Sequence, residues 1–270
     1  MKKNKKLLII FAAVAAITVL IIVNSVVFSV QHVNAYSIKG SYPDLDKAIE
    51  ENHGIRIGSS IFVLNEQKAS ARLKQNLLDK GIANVDILYF ERKFPNRVAV
   101  TYERLYEYFY VPHAGQAYLF ACKNGTLLSS APLSSVPAIA ELRLQGTLQS
   151  TQLAAKFASS VASDAEKVDS FLYALAHLTE PYQTYKSAIT FIDIASANTL
   201  FLGTEKGVVI EIALGTDLPE RLNMGFSTYH ALIVNAERNP AYPAMLESGT
   251  IVVSNASIAN YTTQNRYAER

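Results

Sequence analysis

The sequence predicts an α+β protein: a transmembrane helix at the start, a small β-α-α-β-β domain, then a mixed α/β domain with an extended, antiparallel-rich sheet and two long helices. Three observations predict it. Leu7 to Val30 carries no charged residue, and a helix of about 20 such residues crosses a hydrocarbon core of ~30 Å. Short blocks of helical and strand periodicity follow that run. Half of the 270 residues are hydrophobic, which leaves material for a real core after the apolar run is set aside.

Residues 1–6 read MKKNKK, four lysines and no acid. The positive-inside rule keeps them cytoplasmic, so residues 7–30 span and the bulk of the chain is extracytoplasmic. The alternative is a cleaved signal peptide with a weak small-residue site at Val33-Asn34-Ala35. Signal peptides have apolar cores of about 7–15 residues, and this run is longer. The net charge is +2, of which the first lysines supply more than all. The remainder is near neutral or slightly acidic, which argues against nucleic-acid binding. A single cysteine, Cys122, excludes an intramolecular disulfide. An exported chain of this kind fits a bacterial envelope better than the disulfide-dense secreted domains of animals.

The first domain is expected at 31–104. Val33–Lys39 alternates as a strand ending at Gly40. Pro43 and Gly54 bracket a helix over Asp44–Asn52. Asn65 caps a second helix with Ala69, Leu73 and Leu77 in one row, and Gly81 ends it. Val85–Glu91 reads as a strand with Val85, Ile87 and Tyr89 on one face. Pro95-Asn96 turns the chain into Arg97–Glu103, with Val98, Val100 and Tyr102 on one face.

The second domain is expected at 105–254. Its aromatic-rich start, Tyr106–Phe120, leads to an Asn124-Gly125 hairpin. Thr151–Leu178 carries a helical row through Leu153, Phe157, Val161, Val168, Phe171 and Leu175, stopped by Pro181. Strands follow at Ala188–Ile194, Thr199–Gly203 and Val208–Leu214, with turns at Asn198 and Gly207. Asp217 caps a helix, with Pro219 in its first turn and Glu220 in the capping-box position. Leu222, Phe226, Tyr229 and Ile233 face inward. Thr250–Ser254 is the last strand, and 255–270 is a polar, loosely ordered tail.

No catalytic, cofactor-binding or metal-ligating constellation emerges. The five histidines are scattered, with no HExxH, no G-x-S-x-G and no phosphate-binding loop. Cys122 has no neighbour in sequence that would lower its pKa. Glu50-Glu51, Asp44/Asp46 and Glu205/Glu211 are carboxylate pairs, but a glycosidase needs its pair ~5–10 Å apart across a cleft. Sequence does not fix that distance, and a secreted wall hydrolase stays open as an alternative.

Three segments carry a family resemblance. They are Ser37-Ile38-Lys39-Gly40 with Ile57–Leu64, then Phe90–Val100 ending in Glu103-Arg104, and Gly207–Gly215 followed by Arg221-Leu222. The layout and these segments resemble the bacterial cell-division family FtsQ/DivIB, whose small first domain is called POTRA. The Pro that follows the Glu-Arg pair in the family is replaced by Leu105-Tyr106, and Ile251–Ser254 stands where the family has an Asp-Leu-Arg-like piece. Gly40, Arg92, Pro95, Glu103, Arg104, Gly207 and Gly215 are the signature positions, expected to serve the fold.

The resemblance implies a non-enzymatic bitopic scaffold of the division machinery, concentrated at the septum. It implies binding to small bitopic proteins of the FtsL and DivIC/FtsB type and recruitment of the septal peptidoglycan synthase complex. It also implies that the last strand, here Thr250, Ile251, Val252, Val253 and Ser254, lends its edge to a partner strand. Another membrane-anchored POTRA-type envelope protein is the remaining alternative.

Overall fold

The first helix, α1 (Lys2–Val26), opens on four lysines and continues over residues 7–26 without a charge, a glycine or a proline. The computed structural model of the chain describes residues 2–239 and 243–269, with only the backbone described for 2–9, 24, 243 and 244. Among the described residues no helix is long and apolar enough to cross a membrane. The expected span Leu7–Val30 lies partly outside them, because the side chains of 7–9 and 24 are not described. The helix also ends four residues before Val30. Phe28–Val30 leave it to bond a loop: Ile61 N–H donates to Phe28 O and Val30 N–H to Ser59 O, both at 2.8 Å. Val30 is thereby fully buried.

The protein is mixed α+β. It divides into two compact units, Met1–Arg104 and Leu105–Arg270. The first unit continues with β1 (His32–Ser37), α2 (Pro43–Asn52), α3 (Glu66–Asp79), β2 (Val85–Lys93) and β3 (Arg97–Arg104). Its sheet has the order β1-β3-β2, β1 parallel and β2 antiparallel to β3. Pro43 starts α2 with its φ preset. The Asn65 side chain accepts from Lys68 N–H and caps α3, satisfying one of the orphan donors of its first turn. Ala69, Leu73 and Leu77 pack from α3 onto Val98, Val100 and Tyr102 of β3.

One face differs from expectation. A bulge between Ile87 and Tyr89 inserts an extra residue into β2, and one added residue reverses the alternation. Ile87 and Phe90 therefore point inward, while Tyr89 is exposed.

The second unit is a nine-stranded sheet in the order β12-β11-β10-β9-β8-β7-β4-β5-β6. Its strands are β4 (Glu107–His113), β5 (Gln116–Ala121), β6 (Leu127–Pro132), β7 (Ala140–Arg143), β8 (Ile189–Asp193), β9 (Thr199–Thr204), β10 (Val209–Ala213), β11 (Thr250–Asn255) and β12 (Ile258–Thr262). Hairpin neighbours pair antiparallel; β4–β7, β7–β8 and β10–β11 pair parallel. Each of the last two parallel pairs needs a long crossover. These are α4 (Ala162–Ala176) and α6 (Leu218–Arg238). Val168, Phe171 and Leu175 of α4 and Leu222, Phe226 and Tyr229 of α6 join Ile192, Leu202, Ile210 and Ile251 of the strands in one core.

The helix expected over Thr151–Leu178 is only α4. Residues 151–161 instead run beside the Asn124-Gly125 hairpin: Leu127 N–H donates to Ala155 O, Ala154 N–H to Leu127 O and Phe157 N–H to Gly125 O, all within 2.9 Å. Phe157 is buried as expected, but against Phe109 and Phe120. Pro181 does not stop α4. It sits in the first turn of a short helix, α5 (Glu180–Gln183). Asp217 precedes α6 without a side-chain cap bond; its carboxylate pairs with Arg221 Nε at 2.8 Å, and that guanidinium holds it below its usual pKa. A further short helix, α7 (Pro243–Glu247), precedes β11.

The expected tail 255–270 supplies β12, which pairs with β11 from Thr250↔Thr262 to Asn255↔Ile258. The turn between them closes on itself, Ser257 N–H donating to Asn255 Oδ1 at 2.8 Å.

Candidate partner-binding site

A free sheet edge presents a row of unpaired N–H and C=O groups, and soluble proteins guard such edges with charge, proline or cover. In the first unit, β1 is guarded by Glu50, whose Oε1 accepts from Ala35 N–H at 3.1 Å. The other edge strand, β2, carries the bulge and the charges of Asp86, Glu91, Arg92 and Lys93. In the second unit, β6 is covered at its start by residues 154–157 and ends in Pro132. The fourth edge is β12. Its sequence, IANYT, holds no charge and no proline, and among the described residues no segment pairs with its outer side.

This placement corrects the expected edge. Thr250, Ile251, Val252, Val253 and Ser254 lie on β11, and the first four pair with β10 on one side and β12 on the other, while Ser254 sits at the irregularity in the β12 register. Thr250, Ile251 and Val253 are buried, Val252 is half-buried and Ser254 exposed. The physical reason is cross-strand pairing: residues of the tail too polar to read as a strand acquire one by adding to a strand already in place.

Specific contacts fix β12. Ala259 and Tyr261 turn toward the core, and the Tyr261 hydroxyl donates toward Met245 O and Ser248 O at 2.8 and 2.9 Å. Ile258, on the other face, is 50% exposed. Beyond β12 the chain folds back across the sheet face opposite α4 and α6. Thr250 Oγ1 donates to Gln264 O and accepts from Arg266 N–H, both at 3.0 Å. Arg266 Nε pairs with Glu211 at 3.0 Å. Tyr267 completes the clasp. Its hydroxyl accepts from Arg143 Nη1 and donates to Asp193 Oδ2, both at 2.7 Å. Its ring lies 4.8 Å from Phe191 and 5.4 Å from Phe201, and the Arg143 guanidinium stands 4.4 Å over Phe191. A Cβ on Gly203 would come 2.1 Å from the Phe191 ring, so a larger residue at this cross-strand position must displace that ring. Burial and the Asp193 carboxylate push the Tyr267 hydroxyl up from its usual pKa. No sequence signal marked Tyr267 or Phe191.

The signature positions are spread over both units. Gly40 sits at φ +76° after β1. Arg92 Nη2 donates to Leu64 O at 2.7 Å, and its Nε pairs with Glu66 at 3.4 Å. Pro95 follows a cis bond in the β2–β3 turn. Glu103 pairs with Lys39 at 3.2 Å, and the Arg104 guanidinium stands 5.0 Å over the Tyr42 ring. Gly207 has φ +88°, and a Cβ there would lie 2.3 Å from Glu247 O, a close backbone approach that requires glycine. Gly215 has an ordinary φ, with Asp217 Oδ1 3.1 Å from a Cβ placed on it.

Cys122 is half-buried, and burial raises its thiol pKa, which disfavours the nucleophilic thiolate. Among the described residues no group of three or more His, Cys, Asp or Glu could hold a metal ion. Compared with known proteins, the chain matches no family model and no curated relative.

Proposed function

We propose that this chain is a non-enzymatic, membrane-anchored scaffold of the bacterial division machinery, of the FtsQ/DivIB kind, and that β12 takes a strand from a partner. The observation that carries the reading is the unguarded edge of Ile258–Thr262, fixed in place by the Tyr261 contacts and the Tyr267 clasp. Strand addition uses main-chain hydrogen bonds for affinity and alternate side chains for specificity. Ile258 is the exposed apolar side chain available to a partner.

The anchor belongs to the same proposal. The described side chains of α1 from Ile10 to Val26 are exposed, and an exposed apolar row of this kind marks a surface that lipid or another apolar partner would cover. Cleavage after Ala35 would cut β1, where Val33 and Ala35 are both buried, so the uncleaved anchor is the reading consistent with an intact first sheet. The β-α-α-β-β order of the first unit fits a POTRA domain. The lysine cluster then lies in the cytoplasm and both units are extracytoplasmic. In this reading the partners are FtsL-like and DivIC/FtsB-like bitopic proteins, through which the septal peptidoglycan synthase is recruited. Confinement to one membrane plane raises the effective concentration of each partner for the next.

The test is purification of the tagged full chain from membranes of its own cells, with a fluorescent fusion imaged alongside. Recovery of two small coiled-coil bitopic proteins and a septal band supports the proposal. A uniformly distributed fusion that recovers neither refutes it.

A further inference from the structure

Three segments far apart in sequence meet at one end of the first unit. They are the exit of α1 at Val27-Phe28, a 3₁₀ turn at Ile61–Val63, and the β2–β3 turn at Phe94-Pro95. Phe28, Phe62 and Phe94 form a ring cluster, with centroids 5.2, 5.4 and 6.5 Å apart. Hydrogen bonds hold the segments together: Ile61 N–H to Phe28 O at 2.8 Å, Gln31 N–H to Asn96 O at 2.8 Å, and Asn96 Nδ2 to Gln31 Oε1 at 2.9 Å. Arg92, bonded to Leu64 O and ion-paired with Glu66, ties the strand to the end of the 3₁₀ turn.

What this scaffold presents is apolar. Val63 is 75% exposed, Phe94 59%, Ile57 52% and Phe62 49%. A rigid framework that turns two phenylalanines and two aliphatic residues outward is costly in water, and such patches mark interaction surfaces. Val26 and Val27, which precede Phe28 at the end of α1, are exposed apolar residues as well.

Beside it lies a cleft of about 320 Å³ lined by Arg56, Lys68, Arg72 and Val63 among others, with no carboxylate in its wall. All three cations are exposed. Apolar and aromatic side chains bordered by cations are what the headgroup region of an anionic bilayer accommodates.

We propose that the first unit rests directly on the membrane surface. Ile57, Phe62, Val63 and Phe94 enter the interface as a collar around the exit of α1, and the Arg56/Lys68/Arg72 cleft takes the phosphate of an anionic lipid. The inference rests on the reading of α1 as the anchor and adds a second, peripheral membrane contact. That contact holds the unit against the bilayer.

The test uses the full chain with Cys122→Ser, reconstituted into phosphatidylcholine vesicles with or without phosphatidylglycerol. An environment-sensitive fluorophore is placed through Val63→Cys or, as a control, Asp79→Cys at the far end of α3, about 20 Å along the helix. Headgroup-proximal spin-labelled lipid should quench the label at 63 at least about twofold, since interfacial groups sit ~5–10 Å deep. It should leave the label at 79 unchanged. Phosphatidylglycerol should deepen the quenching at 63, and Arg56→Glu/Lys68→Glu/Arg72→Glu should abolish that increment. If the chain resists alkaline extraction but the label at 63 is unquenched, the collar is refuted and the anchor stands. If that label is shielded from iodide yet untouched by lipid quencher, protein covers the patch and the proposal is wrong. Extraction of the chain at alkaline pH would overturn the anchor and the collar together.

Discussion

Tyr267→Phe removes one oxygen atom from the clasp that holds the chain beyond β12. Two hydrogen bonds go with it, the one accepted from Arg143 and the one donated to Asp193, both at 2.7 Å. Hydrogen bonds to charged groups contribute about 1.5–3 kcal/mol. Tyr267 is half-buried, so water replaces part of the loss, and about 1–2 kcal/mol is expected. Tyr267→Ala also removes the ring contacts with Phe191 and Phe201, at about 0.5–1.5 kcal/mol each. For a unit of this size 1 kcal/mol moves Tm by about 2–4 °C. Thermal unfolding should therefore fall by about 2–8 °C for the Phe variant and clearly further for the Ala variant. Amides of Ile258–Thr262 should exchange faster in the Ala variant while those of β5 do not change. An unchanged Tm in both variants would show that the segment does not hold the edge.

Three further outcomes are expected. Ile258→Lys with Asn260→Lys should weaken partner binding by about 4–13-fold from the apolar term alone, taking half of the ~1.5–3 kcal/mol for burying Ile; the unfolding temperature should stay put, because both positions are exposed. Tyr102 is fully buried and donates to Asp46 Oδ1 at 2.8 Å; burial and that carboxylate raise its pKa well above the usual 10.0. Folding thus favours the protonated phenol, so this contribution is fully present below pH about 10 and is lost as pH rises above it; chemical denaturation should show an alkaline loss that Tyr102→Phe flattens. Cys122, with its pKa raised by burial, should react with iodoacetamide in the native chain at pH 8 several-fold more slowly than in urea.

Where local chemistry decides, the sequence was readable. Pro43, the Asn65 cap and the Val98/Val100/Tyr102 alternation define α2, α3 and β3 because each acts within a few residues. Tyr89 was misplaced because the bulge that reverses its face is a property of the pairing with β3. The row Leu153-Phe157-Val161 imitates a helix, yet the burial of Phe157 comes from Phe109 of β4 and Phe120 of β5. The candidate site was half legible. The apolar run Thr250–Val253 announces a strand, whereas β12, IANYT, alternates no clear apolar face and is recognisable only by its pairing with β11. The clasp was invisible, since it joins Tyr267 to Arg143 and Asp193 across long stretches of chain.

Hydrogen exchange at β12 in the presence of the partner tests the central claim most directly. If a partner strand adds to this edge, the outward-facing amides of Ile258–Thr262 gain hydrogen bonds and should exchange at least about tenfold more slowly in the complex, which about 1.4 kcal/mol suffices to produce. The β6 edge should be unaffected. A complex that forms while every amide of Ile258–Thr262 exchanges at its free rate would contradict the account.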